Sequence, residues 1–147
     1  MLGEVASHGA FVVSVGSIAG VIGEGTGNVT LDKHPERQKA AIDWVTKVAG
    51  TGNYAHVDAS KIAVWGQSCG GLESYDNAFD TRVSSIGIFN SGQLSVSESE
   101  AVAGRVDKPI FFFLGGPSDV AYPMVRPSPY IFEAKSKKEP DVDDLLG

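Results

Sequence analysis

Four short runs of β-branched and aromatic residues punctuate the chain: Ala10-Phe11-Val12-Val13-Ser14-Val15, Lys61-Ile62-Ala63-Val64-Trp65, Val83 to Phe89, and Pro109 to Leu114. Their apolar character is nearly continuous rather than strictly alternating, which marks strands buried on both faces of a parallel sheet. The stretches between them read as helices. Asp32 is a good N-cap for a helix ending at Gly50, with Ala40, Ala41, Trp44, Val45 and Val48 forming a face that packs on the sheet. A second helix runs from Cys69 towards Phe79, and a short third one from Ser97 to Val106. Residues 2–7 read as the last turn of a helix stopped by Gly9, and residues 16–31 and 53–60 read as loops. Strands separated by helices predict an α/β fold with a mostly parallel sheet of about four strands flanked by helices.

The pattern stops at Pro123. Residues 124–147 carry three prolines and, near their end, the acidic run Glu139-Pro140-Asp141-Val142-Asp143-Asp144, with Tyr130-Ile131-Phe132 as their main apolar group. The expected division is a core over 1–123 and an acidic, disordered tail over 124–147.

Composition narrows the partners. At 147 residues the chain suits one domain. A net charge of −6 argues against a nucleic-acid surface, because the short basic stretch Lys135 to Lys138 does not offset it. No run approaches the roughly 18 consecutive apolar residues of a membrane span. The beginning, Met1-Leu2-Gly3-Glu4, shows neither a basic n-region nor an apolar h-region, and the compartment stays open. Asn28-Val29-Thr30 is a glycosylation sequon, relevant only in a secreted chain. The single cysteine, Cys69, has no internal disulfide partner.

The richest chemistry lies where the second run enters Gly66-Gln67-Ser68-Cys69-Gly70. A serine hydroxyl is a poor nucleophile unless a sharp strand-to-helix turn presents it to both a base and a carbonyl, and Gly-x-Ser-x-Gly after a strand is the pattern of that turn. Crowding in such a turn asks for small residues two before and two after the serine, here Gly66 and Gly70. The plainer alternative is a glycine-rich turn whose serine caps a helix.

Together with Ala6-Ser7-His8-Gly9-Ala10-Phe11-Val12-Val13, Ala41-Ile42-Asp43-Trp44, Asp58 to Gly71 and Pro109 to Asp119, these residues resemble the α/β-hydrolase superfamily, near its dienelactone hydrolase, cutinase-like and acetylhydrolase branches. The resemblance covers about residues 1–123 and implies an incomplete α/β-hydrolase fold. It matches Ser68 to the nucleophile, the backbone N–H of Cys69 to one oxyanion donor, and Asp119 to the triad acid. The implied substrates are carboxylic esters or related acyl compounds, with no cofactor and no metal.

The departures matter as much. In the family the histidine follows the acid, whereas His8, His34 and His56 all precede Ser68. His8 and His56 precede their strands, which puts them at the far edge of the sheet, about 15 Å or more away at ~3.3 Å per strand residue. His34 opens the helix after the first strand and is the one substitute base on the proper edge, although a helix N-terminus disfavours imidazolium. By the resemblance, the strand bearing the family's second oxyanion donor comes before the matched region in the chain and, in the sheet, separates the strands at 10–15 and 61–65. Such a donor contributes roughly 3–4 kcal/mol of transition-state stabilisation, and loss of the base costs on the order of 10⁶ in turnover. A truncated gene model would account for both gaps. The expected function is therefore a serine hydrolase that is truncated and weakly active or inactive.

The alternatives are a non-catalytic interaction protein that retains the hydrolase core and self-associates through exposed sheet edges, and a flavodoxin-like domain binding a small ligand. The Gly16–Gly27 stretch lacks the spacing of a dinucleotide fingerprint, no P-loop exists, and the histidines and Cys69 show no metal-ligand spacing.

Overall fold

The computed structural model describes residues 2–15, 33–93, 95–119 and 121–122. The glycine-rich stretch from Gly16 to Leu31, the Asp32 cap, the Asn28 sequon and the tail over 124–147 lie outside the described residues. Among those described, four helices, α1 (Leu2–Ser7), α2 (Pro35–Val48), α3 (Cys69–Asn77) and α4 (Val96–Ala101), accompany three strands, β1 (Ile62–Gln67), β2 (Val83–Phe89) and β3 (Ile110–Phe113). The strands form one parallel sheet in the order β1-β2-β3. This is an α/β arrangement with a strand fewer than the sequence predicts.

The missing strand is the run 10–15, which makes no ladder among the described residues. A β-prone run becomes a strand only beside a partner. Here Phe11 instead packs on Trp44 and Tyr54, with ring centroids 6.3 and 5.6 Å away. Phe11, Val13 and Val15 all keep exposed surface.

Local chemistry sets the helix ends. Gly9 adopts φ 87° and closes α1 with the left-handed residue that a helix C-terminus favours. α2 begins later than the Asp32 cap predicts: Pro35 occupies its first turn and His34 stands at the N-cap position without a side-chain cap. α4 is capped by Ser95, whose Oγ accepts from Glu98 N (3.2 Å) and donates to Glu98 Oε2 (3.0 Å). It ends at Ala101, and a 3-10 turn over Ala103–Arg105 takes up the rest of the predicted helix.

The core lies on one face of the sheet. Val64, Val83, Ile86 and Ile88 from the strands meet Ile42 of α2 and Tyr75 of α3 and Ala78 just beyond it. Each fully buried aliphatic side chain of this kind contributes about 1.5–3 kcal/mol. α2 reaches this core with a stripe rotated from the predicted one. Gln38 and Ile42 are its buried residues, while Trp44 is 39% exposed. The rotation follows from what α2 packs against. Its neighbour is α3, and Gln38 Nε2 donates to Ser74 Oγ and to Gly70 O (both 3.3 Å), while its Oε1 accepts from Asn77 Nδ2 (3.3 Å).

The opposite face is open among the described residues, against the expectation of a sheet covered on both sides. Trp65, Phe111 and Phe113 are 42, 48 and 47% exposed there. Phe89 joins them, stacked on Phe113 at 4.4 Å and tilted against Trp65 at 5.6 Å. Gly87 lies directly beneath Trp65, where a Cβ would stand 2.8 Å from Trp65 Cδ1.

An ion cluster ties α2 to the turn before β2. Arg82 grips Asp80 in a two-pronged contact, Nε to Oδ1 at 2.9 Å and Nη2 to Oδ2 at 2.6 Å, and also reaches Asp43 of α2 at 2.7 Å. Lys108 Nζ donates to Ala78 O (2.7 Å) and Asp80 O (2.6 Å), satisfying carbonyls at the end of α3.

Candidate active site

In a parallel sheet every strand ends at the same edge, and the loops leaving that edge are where ligands meet α/β proteins. Ser68 follows β1, Asn90 follows β2, and Asp119 lies in the loop after β3. Neighbouring strands are about 4.8 Å apart, which places the outer loops two spacings apart with Asn90 between them.

Ser68 takes φ 54° and ψ −120°, a conformation L-residues rarely adopt. Strain of this kind persists where the surroundings impose it, and it clusters at functional sites. The constraint here is visible. A Cβ on Gly66 would lie 1.9 Å from Gly70 O, and one on Gly71 would lie 2.6 Å from the Ser91 side chain. Gly70 faces open space. The need for small residues thus falls on Gly66 and Gly71, not on Gly70 as the motif suggests, because α3 turns Gly71 towards the loop after β2.

The backbone of Ser68 is pinned on both sides. Its N–H donates to Phe89 O (3.0 Å), and its carbonyl accepts from Gly71 N (3.0 Å) and Ser91 Oγ (2.6 Å). Its side chain is exposed and makes no capping bond to α3. The serine is therefore not serving as the helix cap that the plainer reading of the motif proposes. Cys69 is the first residue of α3, so its N–H has no intrahelical acceptor and lies beside the serine. Its thiol is free and half-buried.

Asp119 is held by three donors. Ala121 N reaches Oδ1 (2.9 Å), Gly115 N reaches Oδ2 (3.0 Å), and Asn90 Nδ2 also donates to Oδ2. The Ala121 and Gly115 amides, with Asn90, hold the carboxyl below its usual range against the opposing effect of desolvation. One lone pair of Oδ1 remains for a further donor.

The histidines do not join these two residues. His34 Nδ1 meets Glu36 Oε1 at 2.9 Å, and its backbone N–H donates to Glu73 Oε1 at 2.7 Å. Those contacts fix it beside the flank of α3, and it makes no hydrogen bond to Ser68 or Asp119. His8 pairs with Glu4 at 3.2 Å on the exposed end of α1. His56 is exposed in the turn that leads into β1, at the opposite edge from Ser68.

Sequence reasoning passed over three contributors. Asn90 and Ser91 follow a strand and read as ordinary loop polar residues. Gln38 reads as the polar side of a helix. One signal was available for Asn90: asparagine directly after a strand is a residue that tolerates positive φ. Among the described residues no group of three or more acidic, histidine or cysteine side chains is arranged to hold a metal ion, and no helix is long and apolar enough to cross a membrane. No protein-family model, no curated protein and no solved structure matches the chain.

Proposed function

We propose that this chain is a serine hydrolase of the α/β-hydrolase type, acting on carboxylic esters or related acyl substrates. The observation that carries the reading is Ser68: strained at φ 54°, exposed, and free of any capping bond at a strand-to-helix turn. A helix-capping serine needs neither the strain nor the exposure. In the proposed reaction Ser68 Oγ attacks the acyl carbon and passes its proton to a base. The Cys69 N–H donates a hydrogen bond to the developing oxyanion, the alcohol leaves with the proton, and water releases the acyl group. Asp119, ionised at neutral pH, orients the base.

His34 is the one candidate for that base within the chain, and its bonds to Glu36 and Glu73 would have to yield for it to serve. The reading therefore includes weak turnover, since loss of a triad base costs on the order of 10⁶. The test is labelling by a fluorophosphonate probe, which reacts with activated serines. Labelling that disappears in Ser68→Ala supports the proposal, and a folded chain that resists the probe contradicts it.

A second reading, a non-catalytic protein that associates through its sheet, is favoured by one observation. The face bearing Trp65, Phe89, Phe111 and Phe113 is a contiguous aromatic surface spanning all three strands.

A further inference from the structure

The strand between the serine and the acid ends in three residues that bond alternately to both sides. Phe89 O accepts from Ser68 N (3.0 Å) on the β1 side, and Asn90 N donates to Phe113 O (2.8 Å) on the β3 side. Asn90 Nδ2 then donates to Asp119 Oδ2, and Ser91 Oγ returns to Ser68 O (2.6 Å). The backbone bonds continue the alternation of a central parallel strand, whose successive residues face opposite neighbours. The departure comes at Asn90, just past the end of β2, where the left-handed φ of 45° turns the chain and the side chains take over the bonding.

We propose that Asn90 is a positioning residue that fixes the Asp119 carboxylate and the Ser68 turn in one common frame. Its use for catalysis rests on the hydrolase reading above; its existence as a mechanical link does not.

The residue type fits the role in two independent ways. Asparagine enters the left-handed region more readily than other residues with a Cβ, and its amide donates to a carboxylate without adding charge. An ionised carboxylate only accepts, so the NH₂ end of the amide must face it. Glycine would supply the backbone and no donor. Aspartate would supply the shape and set a second carboxylate against the first. The facing loop is built for the contact as well: a Cβ on Gly115 would stand 3.0 Å from Asn90 Nδ2 and 3.2 Å from Asp119 Oδ2, so a glycine there leaves room for the two side chains to meet.

The experiment is a carbon-detected NMR titration of Asp119 in the full chain, with the Ser68 amide followed in the same samples, for the wild type, Asn90→Gly and Asn90→Asp. In the wild type the Ser68 amide should shift with the Asp119 midpoint. In Asn90→Gly that midpoint should rise and the Ser68 amide should no longer follow it. In Asn90→Asp the two carboxyls should titrate in coupled steps. A Ser68 amide indifferent to Asp119 in the wild type, or an Asp119 midpoint unmoved in Asn90→Gly, overturns the proposal.

Fluorophosphonate labelling separates this link from the hydrolase reading. Labelling slowed roughly 10- to 100-fold in Asn90→Gly, with the thermal midpoint retained, supports both. A wild-type chain that resists the probe yet shows the coupled titration removes the hydrolase reading and supports the link.

Discussion

Gly66 and Gly70 approach so closely at the serine turn that a Cβ on Gly66 would lie 1.9 Å from the Gly70 carbonyl oxygen. The obstacle is backbone, which no side-chain rotation relieves. Gly66→Ala is expected to cost about 3 kcal/mol or more, or to prevent folding, through overpacking at a strained turn. Gly70→Ala meets open space in the first turn of α3. It should be neutral or stabilising by up to about 1 kcal/mol, the helix preference of alanine over glycine. Urea unfolding of the two variants tests the contrast, and equal effects would contradict this geometry.

Two buried polar groups should answer oppositely to removal. Gln38 is 7% exposed and bonded to Gly70, Ser74 and Asn77, so Gln38→Leu strands several partners and should destabilise by about 1–3 kcal/mol. The Tyr75 hydroxyl is buried with no hydrogen-bond partner among the described residues, and burial pushes its pKa up. Tyr75→Phe removes an unsatisfied group and should leave stability unchanged or raise it by about 1 kcal/mol. Denaturant midpoints of the two variants decide this.

Acid should loosen the contact between α2 and the start of β2. Hydrogen bonds from the Arg82 side chain and backbone, with desolvation opposing, hold the Asp80 carboxyl well below the usual carboxylate range. A depressed folded-state pKa gives stability that is present above the unfolded value of about 3.9 and lost as pH falls through the folded value. The expected result is a stability loss that begins near pH 5 and grows towards pH 2. Asp80→Asn should be less stable at neutral pH and show a flatter acid limb in thermal unfolding measured across pH 2–7.

The strands β1, β2 and β3 and the serine turn were legible because they depend on local chemistry: β-branched and aromatic runs, and a serine between glycines. The run 10–15 has the same local signature and is not a strand. Pairing is non-local, and Phe11 meets Trp44 and Tyr54 instead of a ladder. The buried stripe of α2 was misplaced for a related reason. Helical periodicity weighs hydrophobicity, and here a glutamine is buried because Ser74 and Asn77, 36 and 39 residues further on, supply its bonds. Asn90 was invisible for the same cause, its carboxylate partner lying 29 residues away.

The aromatic face gives the association reading its own measurement. Light scattering over a concentration series should show the mass of the wild-type chain rising, and Phe111→Lys with Phe113→Lys should abolish the rise. A chain that stays monomeric at high concentration would contradict association through this face.

The proposed function requires the strained turn at Ser68 to present a nucleophile. It is tested most directly by exposing the folded chain to a fluorophosphonate and mapping the adduct by peptide mass spectrometry, in the wild type, Ser68→Ala and Cys69→Ala. A single adduct on Ser68 is expected, lost in Ser68→Ala and kept in Cys69→Ala, where the backbone N–H remains. No adduct on the folded wild-type chain, or one that persists in Ser68→Ala, would contradict it.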